Sequence, residues 1–108
     1  MSHALRKLGN TDIFVSPLAM GCWPIAGMTS LHVNDRDSLA TLEAAFRMGI
    51  NFFDTACCYG MHGESERLIA KALGKHRDEV VIATKGGISW SDDRKQVKDG
   101  RPATLRRQ

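Results

Sequence analysis

The sequence predicts an α/β chain built on parallel strands. Apolar runs without polar alternation occur at Leu18–Trp23, Ile50–Phe53 and Val80–Thr84, as expected of strands covered on both faces. Their starts recur roughly every thirty residues, the length of a βαβ unit. Between them lie two stretches of helical periodicity, each closed by a glycine, Gly49 and Gly74.

Taken in order, residues 3–15 predict a hairpin. Leu5 and Leu8 flank Arg6-Lys7, Gly9-Asn10 is a turn signal, and Ile13-Phe14-Val15 returns. Pro17 opens the first buried strand and Pro24 stops it. A loop spans Ala26–Ser30. Asn34 or Asp35 can cap the next helix, whose stripe is Leu39, Leu42 and Phe46. The second helix starts near Gly63–Ser65, with Glu64 and Glu66 at its positive end and Leu68, Ile69, Ala72 and Leu73 on its buried face. Lys75–Glu79 reads as a polar loop. Residues 89–108 read as a polar, solvated loop followed by the start of a third helix at Thr104–Gln108.

The central stretch is Ile50–Gly60, I-N-F-F-D-T-A-C-C-Y-G. An apolar strand breaks off in a carboxylate, Asp54, and a short turn delivers a phenol, Tyr59. A charge at a buried strand end needs a partner. Lys85, at the end of Val80–Thr84, supplies one. βαβ crossovers put consecutive strands side by side and parallel. Neighbours lie about 5 Å apart, so Asp54 and Lys85 share the C-terminal edge within side-chain reach, and Tyr59 hangs over it.

Composition bounds the class. With 43% hydrophobic and 25% charged residues, the 108-residue chain fits one small globular domain rather than a disordered segment. The net charge is +3, but residues 1–89 are balanced, with nine Lys/Arg and nine Asp/Glu, so the excess sits in the tail. A nucleic-acid binder wants a basic face with aromatics on its folded part, and none is evident. No apolar run reaches membrane-spanning length and Met1–Asn10 lacks a signal-peptide core, so a cytoplasmic protein without membrane contact is expected. Three cysteines, Cys22, Cys57 and Cys58, are an odd count and read as reduced thiols. Adjacent Cys57-Cys58 lacks the C-x-x-C spacing of zinc sites, so no metal is expected.

Gly21-Cys22-Trp23, Asp54-Thr55-Ala56-x-x-Tyr59-Gly60, Gly63-Glu64-Ser65-Glu66 and Thr84-Lys85 together resemble the aldo-keto reductases, in one register from about residue 5 to residue 107. Gly100-Arg101-Pro102 before Leu105-Arg106-Arg107 looks like that family's entry to its third helix. The resemblance implies that the chain is the N-terminal portion of a (β/α)₈ barrel, with the active site at the C-terminal strand ends. It implies NADPH-dependent reduction of aldehydes and ketones, without metal, on a small carbonyl substrate. Tyr59 becomes the proton donor, Lys85 lowers its phenol from about 10, and Asp54 holds Lys85. Gly21, Trp23 and Asp54 then lie against the cofactor.

A (β/α)₈ barrel needs roughly 250 residues. The expectation is therefore a partial barrel over 1–108, inactive by itself, lacking the fourth-strand histidine and the later cofactor loops. Its open strand edges are expected to favour self-association. The alternative is a non-catalytic nicotinamide-binding or assembly module.

Overall fold

The computed structural model describes residues 4–108. A short antiparallel hairpin leads, β1 (Arg6–Lys7) with β2 (Phe14–Val15). The expected start of that hairpin at residue 3 lies outside the described residues. Asn51 ties the hairpin to the body: its side chain accepts from the Ser16 amide at 2.7 Å and donates to the Phe14 carbonyl at 3.1 Å.

The body is a three-stranded parallel sheet in the order β3 (Met20–Gly21), β4 (Phe52–Asp54), β5 (Val81–Ala83). Gly21 pairs with Asp54, and Asp54 with Ala83, so the C-terminal ends of the strands are level. The strands are shorter than the apolar runs that predict them, β4 starting two residues later than Ile50 and ending on Asp54 itself.

Helix α1 (Asp35–Arg47) joins β3 to β4. Asn34 is its cap, accepting from the Asp37 amide at 2.9 Å, which satisfies one orphan donor of the first turn. Gly49, at φ 99°, turns the chain out of the helix into β4, a conformation that favours glycine. Helix α2 (Glu64–Leu73) joins β4 to β5 and passes directly into a 3-10 segment, Gly74–Glu79, where the sequence predicts a polar loop. No helix among the described residues is long and apolar enough to cross a membrane.

The core lies where the helices meet the sheet. Cys22, Ile25, Leu42, Phe53, Leu68, Ile69, Leu73 and Val80 form one buried cluster. The expected α2 face is realised by Leu68, Ile69 and Leu73, with Ala72 partly buried. On α1 only Leu42 is fully enclosed, while Leu39 and Phe46 pack at its margin.

The polar loop expected from Ser89 to Gly100 is a folded hairpin instead. Strand β6 (Ile88–Trp90) pairs antiparallel with β7 (Gln96–Lys98). The turn is held by side-chain bonds where a glycine signal is lacking. Ser91 bonds Asp93 and the Lys95 amide, and Arg94 takes the left-handed conformation at φ 62°. Helix α3 (Pro102–Arg107) follows, beginning two residues before the sequence places it.

Candidate functional site

Three chain segments converge at the level end of the parallel sheet. Asp54 is the last residue of β4. Lys85 lies two residues beyond Ala83, the end of β5. Tyr59 is carried by the turn between β4 and α2. The Lys85 ammonium donates to Asp54 Oδ1 at 2.8 Å, to the Thr55 carbonyl at 2.8 Å and to the Tyr59 hydroxyl at 3.3 Å. An ammonium has three donors, so all are engaged. The bond to the Thr55 carbonyl has no signal in the sequence, since a backbone acceptor is present at every residue. That carbonyl supplies a second fixed acceptor, which aims the lysine as a single contact would not.

The site is open to solvent. The side chains of Lys85 and Asp54 retain 53% and 43% of their accessible surface. Exposed pairs of this kind stabilise a fold by about 0–1 kcal/mol, so holding the fold together is a weak reason for this arrangement. The hydrogen bond to Asp54 is the main cause that raises the Lys85 pKa above its ordinary value; burial opposes it, and the bond to Tyr59 adds to it. The lysine therefore stays charged at neutral pH beside the phenol.

The Tyr59 turn is shaped by its backbone. The Cys57 amide donates to the Lys85 carbonyl at 3.0 Å, the Tyr59 amide to the Ala56 carbonyl at 3.1 Å, and the Ser65 amide to the Tyr59 carbonyl at 3.0 Å. Gly60 sits at φ +107°, and a Cβ there would come within 2.9 Å of the Glu64 Cβ, so both conformation and space call for glycine.

Trp23, just beyond β3, packs edge-on against Tyr59 with ring centroids 5.2 Å apart. Gly21 is placed opposite Asp54 in the ladder. A cavity of about 560 Å³ opens here, lined by Trp23, Tyr59, Lys85, Ile88, Trp90 and Gln96 among others. The five predicted residues thus fall at one sheet edge: Trp23, Tyr59 and Lys85 line the cavity, while Gly21 and Asp54 lie in the strand ladder. Ile88, Trp90 and Gln96 come from the β6–β7 hairpin, most of which falls where the sequence predicts a polar loop.

Cys22 is fully buried, and burial, with the Asp54 carboxylate adding, pushes its thiol up to about 11. Burial chiefly, then Glu66 and Cys58, also raises the Cys57 thiol. Among the described residues, no three of His, Cys, Asp and Glu are grouped so that they could hold a metal ion.

The chain is similar in sequence and fold to known proteins. The sequence matches the model of the aldo/keto reductase family over residues 17–108. The aldo-keto reductase YhdN of Bacillus subtilis is 34% identical over 89 residues, which cover 81% of this chain and 27% of that protein. The NADH-specific methylglyoxal reductase of Escherichia coli is 37% identical over 111 residues, covering 92% and 34%. Among solved structures, aldo-keto reductase AKR11C1 of Bacillus halodurans superposes with a TM-score of 0.80 at 29% identity, over 95% of this chain and 33% of that one. The glycerol dehydrogenase AKR11B4 of Gluconobacter oxydans gives 0.77 at 32% identity, over 95% and 32%. The chain thus spans between a quarter and a third of the length of these relatives.

Proposed function

Because the chain belongs to the aldo/keto reductase family and carries the first strands of its (β/α)₈ barrel, we propose that its site serves the reduction of a small aldehyde or ketone to an alcohol, with NADPH as reductant. The observation that carries this reading is the 3.3 Å approach of the Lys85 ammonium to the Tyr59 hydroxyl at the mouth of a cavity.

The residues present fit one end of the cofactor. Flat aromatic walls from Trp23 and Tyr59 beside an open strand edge suit a nicotinamide ring, with Gly21 and Asp54 in the adjoining strand ladder. Among the described residues that line the cavity, Lys85 is the one cation, and its donors are already engaged. A pyrophosphate finds no holder there. For that reason the reading includes the expectation that these residues alone turn nothing over.

When bound, the cofactor supplies the hydride. The phenol of Tyr59 hydrogen-bonds the substrate's carbonyl oxygen and gives it the proton, leaving alcohol and phenolate. The Lys85 ammonium stabilises the negative charge left on the phenol. Asp54 and the Thr55 carbonyl fix that ammonium in advance, so no reorganisation is needed as charge develops.

The edges of β3 and β5 have no further strand among the described residues. Open edges recruit strands, so self-association at high concentration belongs to the same reading. The free thiols Cys22, Cys57 and Cys58 suit a reducing compartment such as the cytoplasm.

The test is carbonyl-dependent oxidation of NADPH, and of NADH in parallel. It uses the chain alone and a chimera in which residues 4–108 replace the matching part of a full-length family member. The chain alone should show none. The chimera should show turnover that Tyr59→Phe abolishes, with NADPH preferred. Turnover indifferent to Tyr59→Phe refutes the reading. Cofactor binding by both proteins without turnover by either favours the non-catalytic module.

A further inference from the structure

Trp90 ends β6 of the hairpin that walls one side of the cavity. Its indole N–H donates to the carbonyl of Cys58 at 2.7 Å, across 32 residues of sequence. That carbonyl belongs to the peptide unit leading into Tyr59. The N–H of the same unit is the Tyr59 amide, which donates to the Ala56 carbonyl at 3.1 Å. Both polar groups of this peptide are therefore held, one from within the turn and one from the hairpin.

A peptide is a rigid plane. When both of its polar groups are fixed, its orientation is fixed too. That orientation, together with the backbone bond from Ser65 to the Tyr59 carbonyl, sets the direction in which the Tyr59 side chain leaves the chain. The turn has no regular secondary structure to do this. The hairpin itself is well founded: Trp90 pairs with Gln96 in the β6–β7 ladder, and the Asp99 amide closes its base by donating to the Gly87 carbonyl at 2.8 Å.

We propose that Trp90 is a positioning residue, whose bond to the Cys58 carbonyl keeps the Tyr59 hydroxyl on the Lys85 ammonium. It also walls the cavity, so a ligand that pushes on the indole is felt at the phenol. The hairpin thereby couples occupancy of the cavity to the alignment of the proton donor. The proposal rests on the reductase reading only for the use made of Tyr59, and its test involves neither cofactor nor turnover.

The chain contains one tyrosine. Labelling with 3-fluorotyrosine therefore places a single ¹⁹F reporter on Tyr59. In Lys85→Met its resonance moves to the position of a phenol without its ammonium. Trp90→Phe, which keeps an aromatic ring but has no N–H, should move the resonance in that same direction. A purely structural role for Trp90 would lower the melting temperature and leave the resonance in place. In the unaltered protein, the Trp90 indole proton should exchange at least about tenfold more slowly than that of a free indole. A wild-type resonance in folded Trp90→Phe overturns the proposal, and so does indole exchange at the free rate. If Trp90→Phe does not fold, the exchange measurement decides. Should the resonance move while chimera turnover ignores Tyr59→Phe, the positioning role stands and the reductase reading alone falls.

Discussion

The Ser65 hydroxyl donates to the Cys22 carbonyl at 2.8 Å, across 43 residues of sequence. A serine has one proton to give, so the neighbouring Thr55 hydroxyl, also at 2.8 Å, donates to Ser65. Both hydroxyls are fully buried. The pair ties the end of β3, the end of β4 and the first turn of α2 together. These elements carry Trp23, Asp54 and the base of the Tyr59 turn. Ser65→Ala leaves a buried carbonyl and a buried hydroxyl unpartnered, which costs about 1–3 kcal/mol. Urea unfolding should show it as a lower midpoint at unchanged slope. An unchanged midpoint would mean the hydroxyls are not coupled as described.

Lys85→Met should separate stability from chemistry. The ion pair is half exposed, so its loss should lower stability by no more than about 1 kcal/mol. In the chimera, the same change should lower kcat/KM by about 10²–10³-fold, the effect of losing a preorganised charge. The raised Lys85 pKa gives the pH sign. The pair's contribution is complete at neutral pH and is lost as pH rises through the folded-state value, above the ordinary 10.5. A kcat/KM within twofold of the parent chimera would count against the assigned role.

Asp99 governs the start of α3. It accepts from the Arg101 amide at 3.0 Å and guanidinium at 2.8 Å, and from the Thr104 hydroxyl at 2.6 Å. Arg101 first, then Thr104, holds its carboxyl far below the usual carboxylate range. A depressed folded-state value contributes stability above the ordinary 3.8, lost as pH falls through the folded value. Protection of the Leu105 and Gln108 amides, which bond the Arg101 and Thr104 carbonyls, should therefore fade only in strong acid, below the ordinary range. Asp99→Asn should already weaken that protection at neutral pH. Equal protection in both proteins would show that the charge is not what anchors the helix.

The three thiols should react unequally. Cys22 is buried with its thiol pushed up to about 11, whereas Cys57 and Cys58 are partly accessible. The thiolate is the reactive form. Ellman's reagent at neutral pH should count at most two thiols in the native chain, slowly, and the third only after denaturation. Rapid labelling of all three would contradict the packing around Cys22.

The level strand ends were legible in the sequence because covered strands write themselves as unbroken apolar runs, and Asp54 and Lys85 each interrupt one at its end. The β6–β7 hairpin was not legible. Its second strand, Gln96–Lys98, is fully exposed and offers one apolar residue, Val97, so no alternation marks it. Its turn uses Arg94 in a left-handed conformation that glycine usually occupies. With the hairpin went Trp90, Ile88 and Gln96 of the cavity wall. Ser65 was missed for a different reason, although a signal existed. It lies three and four residues before Leu68 and Ile69, on the buried stripe of α2, but a hydroxyl at the helix start near Gly63–Ser65 reads as a polar first-turn residue. Asn51, between two apolar residues, likewise gave no sign that it would hold the leading hairpin.

The protein has two tryptophans and one tyrosine, and all three border the same cavity. Near-ultraviolet light is therefore absorbed almost wholly at the candidate site. Excitation of Tyr59 passes to two acceptors in the same cleft, Trp23 at 5.2 Å and Trp90, with no other phenol to dilute it. Emission and near-ultraviolet dichroism of the unlabelled chain describe the cleft, whereas the far ultraviolet describes the rest of the fold.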